Sequence, residues 1–334
     1  MEAFHPQKGP FLRELTPGEG FIGFYVIHRK QLEPFRDPAR GRYLTLILGD
    51  RSGQRVARVW EDAETVAEQV AEGMVVKIQG EAETFQDRLQ IRVLRIRPAR
   101  EQEYDWRDML PASARDPEEM LAEVLDAAER IQNPHLRALV ASFYGDEAFL
   151  DALRWAPAGR KVHHAYLSGL LEHLTEMLAL ADRVVAIYPQ LDADLLITGI
   201  LLHDVGKVRE IRWELDIDYT DEGRLIGHIV LGDEMVAQAI AALPDFPAAL
   251  ALRVRHMLLA HHSRYEWGSP RRPQTLEAIA LAKIDDLSAQ INRFWLLLQQ
   301  REVGETWTPY DRLLERRLYA GETDLNVDEE SQQR

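Results

Sequence analysis

Polar and apolar residues alternate in five runs near the front of the chain, and apolar residues recur at helical spacing through most of the remainder. The alternating runs are Phe21–His28, Tyr43–Leu48, Arg55–Trp60, Met74–Thr84 and Leu89–Arg97, and each reads as a strand. Turn residues separate them, Asp50-Arg51-Ser52-Gly53 after the second and Gln86-Asp87-Arg88 after the fourth. Glu61–Glu72, between the third and fourth runs, has the pattern of a short helix. From Pro117 the spacing predicts helices over 117–131, 134–143, 146–155, 163–187, 192–205, 228–243, 247–260 and 275–300. Asp116 before Pro117 suits a helix start, with proline in the first turn. Residues 206–227 break the period and read as a loop or small hairpin.

Three strands, a helix and two more strands is the order of an OB-fold, a small Greek-key barrel. The expected fold class is multidomain α+β: an OB-fold barrel at 15–98, a Pro-punctuated charged linker at 99–117, an all-α domain at 118–320 and a disordered acidic tail at 321–334. A length of 334 residues fits two domains. No apolar run approaches the roughly 18 residues of a membrane span, and Met1–Pro10 lacks a signal-peptide core. The absence of cysteine excludes disulfides and thiolate metal sites and fits a cytoplasmic location.

The net charge of −15 argues against a general nucleic-acid coat, because phosphate binding draws on Lys and Arg. The charge is uneven, however. Leu15–Arg100 carries 14 Lys and Arg against 12 Asp and Glu, a net +2, which leaves −17 on residues 101–334. The barrel could therefore hold a single strand on aromatic and basic side chains. Candidates are Phe24, Tyr25, Arg29, Tyr43, Arg58, Trp60 and Phe85, with Tyr25, Arg58 and Trp60 foremost. Strands alternate in and out, so about half of these aromatics belong in the barrel interior.

The chemistry concentrates at Leu201-Leu202-His203-Asp204-Val205-Gly206-Lys207, where an apolar helix ends in an imidazole and a carboxylate. Buried charge needs pairing or coordination, and a metal ion is the usual occupant. Other residues fall at inward positions or helix ends: His173, His228, His256, the pair His261-His262, and Asp285 among Leu281, Ala282, Ser288 and Ala289. Each has an ordinary reading as a hydrogen-bonded core residue or a cap. His163-His164 reads as a helix start. Together the order His, His-Asp, His, His-His, Asp is a metal-binding constellation.

That order resembles the HD-domain metal-dependent phosphohydrolases. The likeness extends to Ala156-Pro157-Ala158-Gly159-Arg160-Lys161-Val162-His163-His164-Ala165-Tyr166, Gly169-Leu170-Leu171-Glu172-His173, Tyr219-Thr220-Asp221-Glu222-Gly223, Gly227-His228-Ile229 and Glu266-Trp267-Gly268-Ser269-Pro270. With an OB-like domain in front, the chain resembles the YhaM-type 3′→5′ exoribonucleases over roughly residues 15–320. Two positions depart from the family pattern: Ser263 stands where glycine is expected and Ser288 where a second aspartate is common.

The resemblance implies an HD fold, a divalent metal, often manganese, and single-stranded RNA, sometimes DNA, as substrate. It places His173, His203, Asp204 and Asp285 around one ion, and His228, His256 and His261 around a second that Asp204 bridges. Mixed histidine and carboxylate ligands also suit Fe, Co, Ni or Zn. Gly206 is expected to turn the chain so that Lys207 pairs with a phosphate oxygen. Arg264 and Trp267 are expected to clamp the terminal nucleotide. Asp204 and Lys207 are then the catalytic candidates.

Two other functions stay open: a nucleotide or cyclic-dinucleotide phosphohydrolase, and a nucleic-acid-binding regulator with an inactive HD domain. Arg-bearing strands in the barrel favour a polymer. The stretch after His262 lacks a Gly-Tyr-Pro signature, and the complete ligand set speaks against an inactive domain. No membrane partner is expected, and a homo-oligomer is left open.

Overall fold

The computed structural model describes residues 8–35, 37–85, 88–213, 216–299 and 305–321. The tail expected at 321–334 lies outside these residues except for Gly321, and so do Gln86 and Asp87 of the expected turn. Among the described residues no helix is long and apolar enough to cross a membrane.

Five strands close a barrel in the order β1-β2-β3-β5-β4. They are β1 (Gly20–Pro34), β2 (Arg42–Asp50), β3 (Gly53–Val59), β4 (Val75–Phe85) and β5 (Arg88–Pro98), with α1 (Ala63–Gln69) between β3 and β4. The β3–β5 pairing is parallel, from Ala57↔Ile91 to Val59↔Val93, and the other pairings are antiparallel. This is the expected OB-fold. Its interior follows the strand period: Leu44, Leu46, Leu48, Ala57, Val59, Val76, Ile78, Ala82, Ile91 and Val93 are buried. Each large aliphatic side chain removed from water stabilises the barrel by about 1.5–3 kcal/mol.

Tyr25 corrects one expectation. It is fully buried, its hydroxyl donates to the Pro10 carbonyl at 2.8 Å, and its ring packs edge-on against Phe21, so it cannot stack on a bound strand. The opposite face of β1 is covered too: Phe24 and Val26 pack with Val75 and Met109. The segment that supplies Met109 joins the two domains. It forms short 3-10 turns at Glu101–Glu103 and Trp106–Asp108 and touches both sides. The Arg51 amide donates to the Asp108 carbonyl at 2.9 Å, while Trp106 packs edge-on against Trp155 of the helical domain.

The N-terminal lead-in seals the barrel through Leu12, Leu15 and a buried ion pair, Lys8 Nζ to Asp50 Oδ2 at 2.8 Å. Asp50 also accepts from the Leu12 and Ser52 amides and the Ser52 hydroxyl. Lys8 lies over the rings of Phe11 and Tyr25. Burial pulls the Lys8 amine below the usual lysine range, with Asp50 opposing it.

The helical domain comprises α2 (Pro117–Glu129), α3 (Pro134–Tyr144), α4 (Glu147–Trp155), α5 (Gly169–Ile187), α6 (Ala193–Leu202), α7 (Lys207–Glu210), α8 (Asp221–Leu225), α9 (His228–Ala242), α10 (Ala248–Ala260) and α11 (Leu276–Gln299). Side-chain caps from Asp116, Asn133, Asp146 and Asp192 start α2, α3, α4 and α6. Helix α6 lies at the centre, buried from Leu195 to Leu202 and packed against α2, α3, α5, α10 and α11. Gly199 makes room for the side chain of Met257 on α10, because a Cβ there would stand 2.1 Å from Met257 Cε. A two-stranded hairpin, β6 (Ile211–Arg212) with β7 (Asp218–Tyr219), occupies the region read as a loop or small hairpin.

Helix α5 starts later than expected. The spacing predicts a helix from 163, but the chain from 157 to 168 is irregular, with His164 at φ +43° and Ser168 at φ +62°. A Cβ at position 169 would meet the His164 carbonyl oxygen at 2.1 Å, so glycine marks the true helix start. Beyond α11, Asp311 pairs with Arg293 at 2.7 Å and ties the final described segment back to that helix.

Asp50→Ala is expected to destabilise the protein by about 3–5 kcal/mol, because it strands a buried ammonium. Lys8→Met is expected to cost less, since Asp50 keeps its three other donors. Denaturant unfolding of both variants checks this, and equal losses would contradict it.

Candidate active site

Five elements contribute side chains to one cleft. Helix α5 supplies His173, the turn after α6 supplies His203 and Asp204, α9 begins with His228, α10 ends in His261-His262, and α11 carries Asp285. Gly206 lets α9 approach the His-Asp turn: a Cβ there would stand 2.1 Å from the His228 carbonyl oxygen. Its backbone is right-handed at φ −65°, so its service is closeness and not the turn expected of it.

The hydrogen bonds behind these imidazoles decide what their front faces offer. His203 Nδ1 lies 2.7 Å from the Ile200 carbonyl and His261 Nδ1 2.7 Å from the Leu258 carbonyl. His262 Nδ1 lies 2.9 Å from the Trp267 carbonyl. A carbonyl only accepts, so each Nδ1 carries the proton and each neutral ring presents a bare Nε2. His228 Nδ1 faces Glu210 Oε1 at 3.0 Å, which gives the same tautomer. His173 Nδ1 faces Ser288 Oγ at 2.9 Å, and that hydroxyl donates to Glu176 at 2.5 Å.

The bare nitrogens converge on carboxylates. His173 Nε2 stands 3.2 Å from Asp285 Oδ1, and His203 Nε2 stands 3.1 Å from Asp204 Oδ2. Asp204 Oδ1 lies 3.5 Å from His228 Nε2 and 3.8 Å from His261 Nε2. His173, His203, His228 and His261 Nε2 and Asp204 Oδ1 are buried and hydrogen-bonded to nothing. Lone pairs facing one another need a cation or a proton between them. Ligands about 2.1 Å from one ion stand about 3 Å apart at right angles, which matches the closer of these separations. The groups His173/His203/Asp204 and His228/His261/His262 can each hold a metal ion.

The electrostatics agree. Burial holds His261 well below the ordinary histidine range, with His262 and His203 adding to it, and burial also lowers His173. Both are thus kept neutral, as metal ligation requires. Burial acts to raise the Asp204 carboxyl, but His203 and Lys207 outweigh it and hold it well below the carboxylate range. Asp285 is held low against burial by His173 and His203. Burial lowers His203, yet the Asp204 carboxylate more than reverses this and raises it.

Several expected residues lie elsewhere or behave differently. His256 is not at the cleft: its Nε2 accepts from the Gln274 amide at 2.9 Å, tying α10 to the approach to α11. His262 takes the place expected of it, its ring 5.1 Å from that of His228. Lys207 is buried and bonded to Asp204 Oδ2 at 2.6 Å, so its amine must swing away to meet a phosphate. Arg264 lies over the Trp267 ring at 4.6 Å on the rim. Ser263 adopts φ +62°, the left-handed conformation that explains why glycine was expected. His163, Arg160 and Tyr219 line the cleft, whose volume is about 380 Å³. Glu176, Glu210 and Ser288 escape a reading of the sequence because they act only across elements.

On the barrel, Phe35, Tyr43 and Trp60 form an aromatic cluster with ring centroids 5.1–5.8 Å apart. Arg58 lies over Tyr43 and Trp60, and its charge is shared with Glu33 at 3.4 Å. Phe85 and Gln90 line the same hollow.

Comparison with known proteins agrees with this architecture. Residues 170–290 match the HD domain family model, and residues 26–99 match the model of an OB-fold nucleic acid binding domain. The second OB-fold domain of replication protein A from Methanococcus maripaludis is 20% identical, covering 28% of this chain and 95% of that one, with a TM-score of 0.24. The 3'-5' exoribonuclease YhaM of Bacillus pumilus (strain SAFR-032) is 36% identical over 79% of this chain and 83% of its own length. The 3'-5' exoribonuclease YhaM of Shouchella clausii (strain KSM-K16) is 35% identical over 88% of this chain and 91% of its own length. A likeness of that extent, spanning both the barrel and the His/Asp cleft, shows that the chain is a hydrolase belonging to the 3'-5' exoribonuclease YhaM family.

Proposed function

We propose that the chain is a divalent-metal-dependent enzyme that removes nucleoside monophosphates from the 3′ end of single-stranded RNA, and of DNA where offered. One observation carries the metal dependence: four buried imidazole nitrogens and one carboxylate oxygen, all without hydrogen-bond partners, face one another around Asp204 and Asp285. In this reading His173, His203, Asp204 and Asp285 hold one ion. His228, His261 and His262 would hold a second, beside Asp204. Manganese is the ion the family likeness favours, and iron, cobalt, nickel or zinc suit the same donors. A bound divalent ion supplies Lewis-acid charge to phosphoester hydrolysis.

The chain's own residues do the rest. Glu210 and the Glu176–Ser288 pair hold the His228 and His173 rings so that their lone pairs face inward. Lys207 balances Asp204 in the structure and is free to neutralise a phosphate oxygen once a cation takes over that task. Trp267, with Arg264 above it, and Tyr219 offer ring faces to the terminal base, in a cleft on the scale of a single nucleotide. The barrel's family model is that of a nucleic-acid binder, which supports a strand held against Tyr43, Trp60 and Arg58. Holding the strand raises the concentration of its end at the cleft.

A 5′-labelled oligoribonucleotide incubated with Mn²⁺ is expected to shorten from its 3′ end as a ladder, and turnover of free nucleotides alone would reject this reading. His203→Ala and Asp204→Ala are expected to lose bound metal by elemental analysis. His262→Ala is expected to lose about one equivalent and His256→Ala none; the reverse would restore the expectation drawn from sequence. Base stacking contributes about 1–3 kcal/mol per base. Trp60→Ala is therefore expected to raise KM for a long RNA by roughly 5- to 150-fold, and to leave a dinucleotide unaffected.

A further inference from the structure

The irregular segment before α5 is held with more care than a connection requires. His164 is fully buried at a positive φ, its amide donates to Asn292 Oδ1 at 2.7 Å, and its carbonyl accepts from the Ala158 amide at 3.1 Å. A buried non-glycine residue in this conformation persists only where its surroundings fix it, and such residues gather at functional sites. The hydrogen bonds beyond His164 show what is being fixed.

Glu176 Oε2 stands 3.3 Å from His164 Nε2, an ion-pair separation without hydrogen-bond geometry, and a proton drawn to that nitrogen by the carboxylate would leave His164 Nδ1 bare. His163 Nδ1 lies 3.3 Å from His164 Nδ1. With a bare acceptor opposite, His163 Nδ1 carries the proton, and His163 Nε2 is left as a lone pair. His163 lines the cleft, its ring 5.2 Å from that of His173. His163, His164 and His173 each offer a nitrogen within 4.8 Å of the others. His173 already directs its one bare nitrogen at Asp285, and His164 is turned toward Glu176. His163 is the member of the three left with a free lone pair and access to the cleft.

We propose that His163 is a further protein ligand to the ion held by His173 and Asp285, with His164 and Glu176 as its positioning residues. Glu176 then orients two ligands at once, His173 through the Ser288 hydroxyl and His163 through the His164 imidazole. The inference rests on the metal-dependent reading above and adds to it a ligand outside the His, His-Asp, His, His-His, Asp order.

The test uses the full chain stripped of metal and titrated with Zn²⁺ against a competing chelator, together with the visible spectrum of the Co²⁺ form. His163→Ala is expected to weaken the tighter site by at least about tenfold and to change the Co²⁺ band intensities, with the melting temperature of the metal-free protein unchanged. Glu176→Gln, whose amide can donate to His164 and reverse the chain of protons, is expected to weaken the same site by about 10- to 100-fold. Unchanged affinity and an unchanged Co²⁺ spectrum in His163→Ala would overturn the proposal while leaving the metal centre intact. A wild-type chain that binds neither ion would overturn the metal-dependent reading, and this proposal with it. Should His163→Ala fail to fold, the ¹⁵N resonance of His163 Nε2 in the wild-type chain decides: a Zn²⁺-dependent shift is expected, and no shift overturns the assignment.

Discussion

The organisation of the helical domain depends on one electrostatic constraint: Asp204 is a buried carboxylate that must be answered by positive charge. Its histidine neighbours cannot supply that charge as ordinary hydrogen-bond donors. The backbone carbonyls of Ile200 and Leu258 hold the protons of His203 and His261 on the far side of each ring. The histidines that reach the cleft therefore deliver lone pairs rather than N–H groups, while Lys207 at the start of α7 pairs with Asp204. In the structure Lys207 and the raised affinity of His203 for a proton answer Asp204.

Packing makes this arrangement possible. Helix α6 is apolar on all sides and sits inside the bundle, so its C-terminal end is a fixed point from which His203 and Asp204 project. Gly199 and Gly206 act at close approaches, the first admitting Met257 of α10 and the second admitting the first turn of α9. A side chain at 206 would push away the backbone of α9 that brings His228, and one at 199 would displace the end of Met257. Helix α11 joins three layers: Asp285 at the site, Ser288 behind His173, and Asn292 beneath the segment of His163 and His164.

Much of this is legible in the sequence. Strand alternation locates the five strands of the barrel and their order, and helical spacing locates all the long helices. The differences have physical causes. Leu252 and Leu259 suggest an inward His256, but Leu252 is 73% exposed. The buried phase of α10 runs through Val254, Met257, Leu258 and His261, and that phase is readable from the chain. Helical spacing carries α5 back to 163 because spacing alone does not register Ser168-Gly169 as a boundary. Tyr25 shares the interior face of β1 with Phe21 and Ile27, and the N-terminal lead-in closes over its hydroxyl, a cover that the strand pattern alone does not reveal. Glu176, Glu210 and Ser288 have no local signal, since each works on a histidine of another helix or turn. The serine at 288, a departure from the family pattern, is the hydroxyl that orients His173.

Asp204 is shared among His203, Lys207, His228 and His261. Groups that meet at one atom pair do not contribute independent increments, and their substitutions are non-additive. A change at one partner alters the charge that Asp204 presents to the other three, so the effect of a second change depends on the first. The four act as a single cooperative unit.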